Sequence, residues 1–302
     1  MKLKFLSAMA TSLALFFSPP AFAQNEATPK PAAIAEADGP ALWKVADEDT
    51  TIYLFGTIHV LPDGLDWYDE EIAEALESAD LVVKELGPDA FAPRKLRAAL
   101  ITHGLLPEGP TLRERMTQEQ REIFEAEMEE LGMDPETMDR SQPWFASTRI
   151  VLARLKALGI DSSKGVEAVL DTKVPDTPRA GLETVDLQFG AFASVPFEGQ
   201  MKQLMGSFVE PDELEEAFDM MVTEWIEGDP EELAAIFNES TTESGLEKPL
   251  LYDRNANWAQ WIETRLEQPG TVFMAVGAGH LAGKNSVQHY LNEREIGVER
   301  IR

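Results

Sequence analysis

Apolar positions near the start of the chain follow the spacing of strands and then of a helix. Residues 42–46 and 51–55 are strand-like runs separated by the polar segment Asp47-Glu-Asp-Thr50, a pattern that predicts a β-hairpin. Apolar side chains recur at helical spacing in residues 68–79, and residues 81–86 form a further apolar run. The first third of the chain is therefore predicted to fold as β-β-α-β.

The rest of the chain is mostly helical until strand patterns return near its end. The last third predicts, in order, a helix at 246–266, a strand at 271–276, a helix at 284–295 and a strand at 298–301. Helix-like patterns in the middle lie at 95–103, 118–131, 143–158, 211–227 and 230–238, with shorter αβ pieces at 160–174 and 179–185. We therefore predict a mixed α/β fold, a single domain over residues 41–302. Its central sheet is built from the two ends of the chain and carries an inserted helical layer.

The first 23 residues have the features of a secretory signal peptide. Lys2 and Lys4 precede an apolar run at residues 6–17, and Ala21-Phe-Ala23 fits the small-x-small cleavage pattern. Cleavage after Ala23 is expected, followed by a disordered leader rich in Ala, Pro and Glu at residues 24–40. No later segment is long and apolar enough to predict a membrane span. The mature chain is therefore expected to be exported, to a periplasm or outside the cell.

Charge and cysteine content exclude several classes of partner and site. The formal net charge is -28, which argues against nucleic acid and anionic membranes as partners. The sequence contains no cysteine, so it has no disulfide, no cysteine nucleophile and no thiolate metal site. The partner expected for this chain is a peptide or a small-molecule substrate.

Two segments repeat the pattern of an apolar strand followed by Gly-x-x-His. The first ends at His59 and the second at His280, and the chain has only four histidines. A single histidine after a strand is more often a hydrogen-bonded structural residue. If the two strands are neighbours, however, both imidazoles reach one site, and neutral imidazoles are natural ligands of divalent metals.

A carboxylate is the usual third ligand of such a site. Glu85 is the first candidate, because it ends a buried strand that is expected to pair beside the His59 strand, and a buried carboxylate needs a partner. Glu183 is the second candidate. Asp63 and Asp66 lie in a polar turn, and neither His103 nor His289 is assigned to the site.

The glycine loop at residues 277–283 has a competing interpretation. Strand, Gly-x-Gly-x-x-Ala and helix resemble a dinucleotide fingerprint, but the chain ends before a second nucleotide-binding half could follow. Gly277 and Gly279 could still bind an anion at a helix N-terminus. A serine hydrolase is poorly supported, because Gly-x-Ser-x-Gly is absent.

Taken together, these segments resemble the TraB/GumN family from about Ala41 to the C-terminus. The matching elements are Leu42-Trp-Lys-Val, Leu54-Phe-Gly-Thr-Ile-His59, residues 81–86 with Glu85, Gly181-Leu-Glu-Thr184 followed by Gln188, Arg254-Asn255 with Trp258-Ala259, and residues 275–283. The resemblance implies a fold like that of the TIKI proteins and erythromycin esterases. It also implies a metal site, since TIKI-related members are described as metal-dependent proteases that use two Gly-x-x-His motifs and a glutamate. Carried onto this chain, the metal ligands are His59, His280 and Glu85, with Mn, Co or Zn as the cation.

The leading hypothesis is an exported metal-dependent hydrolase that acts on peptide bonds. Glu85 or Glu183 completes the metal site, and the other serves as general base. Arg254 stabilises an oxyanion, unless it is only a charge near the middle of a long helix. Asn255, Gly277 and Gly279 are assigned to substrate binding. The alternatives are a non-catalytic binding protein that holds a peptide or haem-like ligand in the same cleft, and a purely structural role for both motifs.

Overall fold

The structure is a computed structural model that describes residues 39–160, 162–241 and 247–302. The predicted signal peptide and almost all of the predicted leader lie outside the described residues. Within the described part, no helix is both long and apolar enough to cross a membrane.

Six strands form one mixed sheet in the order β4-β3-β5-β2-β1-β6. The strands are β1 Leu42–Ala46, β2 Thr50–Thr57, β3 Leu81–Leu86, β4 Arg179–Glu183, β5 Gly270–Gly277 and β6 Glu299–Arg300. Strands β4, β3, β5 and β2 run parallel to one another, whereas β1 is antiparallel to both β2 and β6. The sheet therefore joins the two ends of the chain, as the sequence predicts.

The eleven α-helices within the described ranges cover the sheet and extend it at one end. They are α1 Glu70–Glu77, α2 Pro93–Ala99, α3 Gln118–Glu130, α4 Pro143–Ala157, α5 Val166–Lys173, α6 Val185–Ser194, α7 Phe197–Gly206, α8 Pro211–Ile226, α9 Pro230–Thr241, α10 Asp253–Leu266 and α11 Val287–Asn292.

Alternation along the strands assigns a helical layer to each face of the sheet. Phe55 and Phe273 point to one face and pack with α1, α4, α5, α8 and α9. Leu54, one position before Phe55, and Met274, one position after Phe273, point to the opposite face and pack with α10 and α11. Because strand side chains alternate with a period of two, both central strands are buried on both faces. This explains the continuous apolar runs in the sequence.

The inserted middle of the chain forms two smaller apolar cores beyond the sheet. One is centred on Trp144 with α6, and the other on Phe124 with α4 and α7. Helices α6 and α7 have no counterpart among the predicted elements. Helix α6 is apolar on several sides, since Leu187 is exposed while Phe189 and Phe192 are buried, so it has no single apolar stripe to detect.

Three other predictions need correction. Strand β3 pairs with β5 and β4 and not with the His59 strand β2, because β5 lies between them. Only the second part of the predicted helix at 246–266 is a regular α-helix. Helix α10 begins at Asp253, after a π-helical turn at Lys248–Tyr252. The predicted helix at 284–295 shortens to α11, which begins after Ser286 caps it.

Candidate functional site

The two Gly-x-x-His motifs meet at the carboxyl ends of neighbouring parallel strands. Strands β2 and β5 pair in register, with Gly56 opposite Val276 and Thr57 opposite Gly277. A Cβ on Gly56 would lie 3.1 Å from the Cα of Ala278, so the motif glycine allows the two loops to pack closely. The two strands that carry the motifs are therefore neighbours, and both motifs lie at the same edge of the sheet.

Glu85 lies beside the second motif, on the strand that borders β5. It is two positions after Val83 and shares its face, toward α10. Oε1 accepts a hydrogen bond from the backbone N–H of Gly277 at 2.8 Å, and Oε2 accepts from Arg254 Nη2 at 2.6 Å and from Gln188 Nε2 at 3.0 Å. Burial alone would raise the pKa of Glu85, but Arg254 and the nearby histidines lower it to about 2. Glu85 is thus a buried but ionised carboxylate.

His280 is buried in the turn after β5, and each of its ring nitrogens contacts a side chain of α10. Nε2 lies 3.1 Å from Arg254 Nη1, and Nδ1 lies 2.6 Å from Asn255 Oδ1. Since a guanidinium can only donate, Nε2 of His280 is the acceptor, and Nδ1 carries the hydrogen and donates it in a hydrogen bond to Asn255 Oδ1. The amide of Asn255 is held in this orientation because its Nδ2 donates to the carbonyl of Asn285 at 2.8 Å. Burial and the charge of Arg254 lower the pKa of His280 to about 3, so the ring is neutral.

Arg254 is the central cation of the cluster. It is the second residue of α10, not a mid-helix residue, and it lies over the ring of Trp258, 4.9 Å from its centroid. Besides Glu85 and His280, its N–H groups donate to the carbonyl of Leu250 at 2.9 Å and, from Nε and Nη2, to Glu183. All five N–H groups of the guanidinium therefore have acceptors. Burial opposes the charge of Arg254, but the two carboxylates outweigh it and raise the pKa.

Glu183 also binds Arg254, but its pKa is shifted in the opposite direction from that of Glu85. Burial raises the pKa of Glu183, and Arg254 only partly offsets the effect because Glu85 competes for the same cation. Glu85 has two further donors in Gly277 and Gln188, so it keeps its charge more easily. The environment thus pushes the pKa values of two neighbouring carboxyl groups apart, an arrangement typical of acid–base pairs.

His59 is bound by a carboxylate that the sequence does not single out. Its Nδ1 lies 2.5 Å from Glu167 Oε1, and Thr57 donates to the same oxygen at 2.5 Å. Burial would lower the pKa of His59, but the charge and hydrogen bond of Glu167 outweigh it and raise the pKa. Glu85 and Arg254 also affect this pKa, so His59 lies close to the rest of the cluster. Its side chain is 16% exposed, which makes His59 the more solvent-accessible of the two motif histidines.

Glu167 lies in the segment predicted only as a short αβ piece, and nothing in its spacing relates it to either motif. The one local signal is Gly165, two residues earlier, where a Cβ would overlap the carbonyl oxygen of His59. A close approach of this kind is visible only in three dimensions. The sequence therefore could not identify Glu167.

The residues assigned to substrate binding serve other groups of the protein here. Asn255 holds His280, and the N–H of Gly277 is bonded to Glu85. Gly279 lies in the 3₁₀ turn Ala278–Leu281 that carries His280. Since α11 begins only at Val287, the glycine loop does not open directly into a helix as a dinucleotide fingerprint requires.

The remaining polar candidates lie outside the cluster. Asp63 pairs with Lys164, and Asp66 is exposed. His103 pairs with Asp186, and His289 with Glu293. None of these contacts involves Glu85, Arg254 or the motif histidines.

The cluster contains one pair of groups with the spacing of two ligands of a divalent cation. In ranges 39–160, 162–241 and 247–302, no group of three or more His, Cys, Asp or Glu side chains is placed so that it could hold a metal ion. However, Glu85 Oε1 and His280 Nε2 are 3.7 Å apart, within the limit of about 4.2 Å for two ligands that each lie about 2.1 Å from one cation. A cation at His280 Nε2 has to compete with Arg254 Nη1, which now donates to that nitrogen.

The net charge and an unpaired oxygen of the cluster also favour such an occupant. Three carboxylates, Glu85, Glu167 and Glu183, face one guanidinium and His59, so the cluster is not positive even when His59 is protonated. Gln188 Oε1 is buried and has no hydrogen-bond partner among the described residues. A buried polar atom of this kind normally has a partner, such as a water or a ligand.

Comparison with known proteins places this cluster in a family context. The model of the TraB/PrgY/gumN family matches residues 41–300. An uncharacterised protein of Treponema pallidum (strain Nichols) is 24% identical over 273 residues, 84% of this chain and 80% of that protein. The uncharacterised protein YbaP of Escherichia coli (strain K12) is 22% identical over 241 residues, 79% of this chain and 87% of its own length, and YbaP of Shigella flexneri matches equally. No solved structure gives a significant match.

Proposed function

The chain belongs to the TraB/PrgY/gumN family, and from this premise we propose that it is a metal-dependent hydrolase acting on peptide bonds. Its site is the cluster formed by His59, Glu85, Glu183, Arg254 and His280. The proposed ligands of the divalent cation are His59, His280 and Glu85.

One observation carries this proposal. Both motif histidines hold Nδ1 against an oxygen from outside the motif, Glu167 for His59 and Asn255 for His280. Metal-binding histidines are usually held in this way, because an acceptor at one ring nitrogen fixes the tautomer and orients the other. A cation would therefore be bound through Nε2 of both rings. Glu85, ionised at neutral pH, supplies the negative ligand.

The two glutamates divide the chemical work according to their environments. When bound, a divalent cation polarises a carbonyl and lowers the pKa of its bound water. Glu85 remains a carboxylate and serves as a ligand, since its pKa is about 2. Glu183 has a raised pKa, so it accepts a proton more readily than an ordinary glutamate, which makes it the general base.

Arg254 contributes a donor for developing negative charge. In this structure all of its N–H groups have acceptors, so one must be released before it can bind an oxyanion. The Nη1–H that donates to His280 is the one whose acceptor would be taken over by the cation. Arg254 stays anchored by Glu183 and the Leu250 carbonyl, which fixes the direction of the released N–H, so a substrate oxygen would have to approach along that direction.

The experiment combines metal content with peptide hydrolysis in the mature chain, residues 24–302. We expect about one divalent ion per chain in the wild type and loss of the ion in His280→Ala and His59→Ala. Hydrolysis of unstructured peptides should stop with a chelator and return with Zn²⁺, Mn²⁺ or Co²⁺. His289→Gln is the matched control, because the side chain of His289 pairs with Glu293 and packs against Tyr290, outside the cluster.

Two outcomes would contradict the proposal in different ways. Unchanged metal content in both histidine variants means that the ligands are wrong. Stoichiometric metal without cleavage of any peptide in a broad library contradicts the hydrolase and favours a binding protein that holds a peptide through the same cluster. We further propose that the protein acts after export, on a peptide or small-molecule substrate of the periplasm or the medium.

A further inference from the structure

Glu167 makes a close contact with the first motif histidine, His59. Its Oε1 lies 2.5 Å from His59 Nδ1 and 2.5 Å from the hydroxyl oxygen of Thr57. One carboxylate oxygen thus receives two hydrogen bonds from the end of β2. An ionised acceptor gives short, strong bonds of this kind, so the imidazole has little freedom to rotate.

The backbone around Glu167 fixes this carboxylate relative to His59. The N–H of Val166 donates to the carbonyl of Ile58 at 3.0 Å, and Val166 is completely buried. Gly165 lies so close to the His59 carbonyl that a side chain would not fit there. The start of α5 is therefore held against the loop that carries His59 by two neighbouring residues, Gly165 and Val166.

The second motif histidine has a corresponding arrangement from the opposite face of the sheet. Asn255 of α10 accepts from His280 Nδ1 at 2.6 Å, whereas Glu167 of α5 holds His59. The two helices pack on different faces, as their apolar partners in the core indicate. The acceptors differ in one respect, because Asn255 is neutral and Glu167 can carry a charge.

We propose that Glu167 is the positioning residue of His59, holding the Nδ1–H tautomer and presenting Nε2 to the Glu85 side of the cluster. The inference rests on the proposed function, in which Nε2 of His59 binds the cation. A charged acceptor also increases the basicity of the imidazole as a ligand. Glu167 itself does not touch substrate or cation in this role.

The first experiment reads the tautomer of His59 directly and needs no metal. Mature protein with ¹⁵N-labelled histidine is examined by long-range ¹H–¹⁵N NMR at pH 9 with a chelator, and His59 is assigned from the His59→Gln spectrum. We expect the Nδ1–H form in the wild type and a mixture of both tautomers in Glu167→Ala. Glu167→Gln keeps an oxygen acceptor and should restore the Nδ1–H form.

The second experiment measures the affinity for Co²⁺ by competition with a chelator and follows the visible absorption of the bound ion. Loss of an outer partner of a ligating histidine typically weakens metal binding by about 10–100-fold. We expect a loss of this size in Glu167→Ala, a smaller loss in Glu167→Gln and a shifted absorption band in both. Glu127→Ala is the matched control, since Glu127 is a comparably buried glutamate that pairs with Arg154.

The two experiments separate this inference from the proposed function. If wild-type protein binds no Co²⁺, the metal proposal fails, and the tautomer spectra alone decide the role of Glu167. If Glu167→Ala keeps the Nδ1–H form, or keeps wild-type Co²⁺ affinity where the wild type binds, the inference is overturned. Should Glu167→Ala not fold, an unchanged affinity and absorption band in Glu167→Gln would overturn it as well.

Discussion

At the scale of single residues, the cluster around Arg254 separates groups that would otherwise titrate together. Glu85 receives three hydrogen bonds and stays ionised, whereas Glu183 shares the same guanidinium and has a raised pKa. His280 accepts a hydrogen bond from a cation, which a protonated ring could not do. Each protonation state therefore follows from the partners of the group and from its burial.

The depressed pKa of His280 predicts an acid sensitivity of the metal-free protein. The unfolded chain takes up a proton on this residue near its ordinary pKa of 6.5, but the folded protein does so only near 3. Folding stability should therefore fall as pH decreases through this range, by about 1.4 kcal/mol per unit. Between pH 6.5 and 4.5, wild type should lose roughly 2–3 kcal/mol more than His280→Gln in urea unfolding with a chelator.

The comparison with His280→Gln singles out His280, because the raised pKa of Glu183 affects this pH range in both proteins. The lowered pKa of Glu85 contributes stability that is complete above 4.5 and is lost only as pH falls toward 2. The raised pKa of His59 has the opposite sign, because its contribution is complete below 6.5 and is lost as pH rises through the folded value. His289→Gln should keep the wild-type pH dependence. Equal pH dependence of wild type and His280→Gln would contradict the prediction.

At the scale of elements, the site depends on close contacts between segments that are distant in sequence. Strands β2 and β5 bring the motifs to one level, and α5 and α10 supply the acceptors from opposite faces of the sheet. Glycines occupy the tightest of these contacts. Besides Gly165 at His59, Gly87, which follows β3, faces Gly181 in the middle of β4, with no room for a side chain on either.

Replacement of Gly165 by alanine tests whether the junction of α5 with the His59 loop is rigid. The backbone angles of Gly165, φ -58° and ψ 153°, suit any residue, so the cost is the overlap of Cβ with the His59 carbonyl. We expect Gly165→Ala to lower the free energy of unfolding by about 1–3 kcal/mol, the usual cost of overpacking. Thermal and urea unfolding measure it.

Gly297→Ala is the matched control for that substitution. A Cβ at Gly297 meets no atom within 4 Å, and its φ lies outside the left-handed range. Its effect should stay within about 0.5 kcal/mol, as for most surface substitutions. If Gly165→Ala is as mild as this control, the junction is more adaptable than the packing indicates.

At the scale of the whole molecule, the net negative charge and the proposed export bear on the compartment and the partners of the protein. Lys2 and Lys4 carry the only charged side chains of the first 23 residues, so cleavage after Ala23 would make the net charge more negative than -28. A strongly acidic protein is repelled by nucleic acid and anionic membranes at long range. The cluster itself lies between the two helical layers, where long-range charge has less influence than direct partners.

Export is tested on the whole chain in a Gram-negative host. We expect intact-mass analysis of the periplasmic fraction to give a chain that begins at Gln24. Replacement of Ala21 and Ala23 by large residues should prevent this cleavage, because the cleavage site requires small side chains. Recovery of the unprocessed chain in the cytoplasm of wild-type cells would contradict the prediction.

Features that depend on residues close together in sequence could be predicted, and features that depend on residues far apart in sequence could not. Strands β1, β2, β3 and β5 could be located from the sequence because a buried strand is a local run of apolar residues. The order of β3 and β5 could not, since it depends on which strand is inserted between two others. Helix α6 was missed because it is buried among aromatic residues and has no single apolar stripe.

The sequence by itself determined the types of elements, the two Gly-x-x-His motifs and the glutamates and arginine worth considering. Parallel pairing of the two motif-bearing strands was decided by the tertiary structure, which inserts β5 between β2 and β3. Only the tertiary structure decided that Arg254 lies between Glu85 and Glu183, that Asn255 holds His280, and that Glu167 holds His59. Hydrogen bonds of this kind join residues 25 to 169 positions apart, and such contacts leave no periodic trace in a single chain.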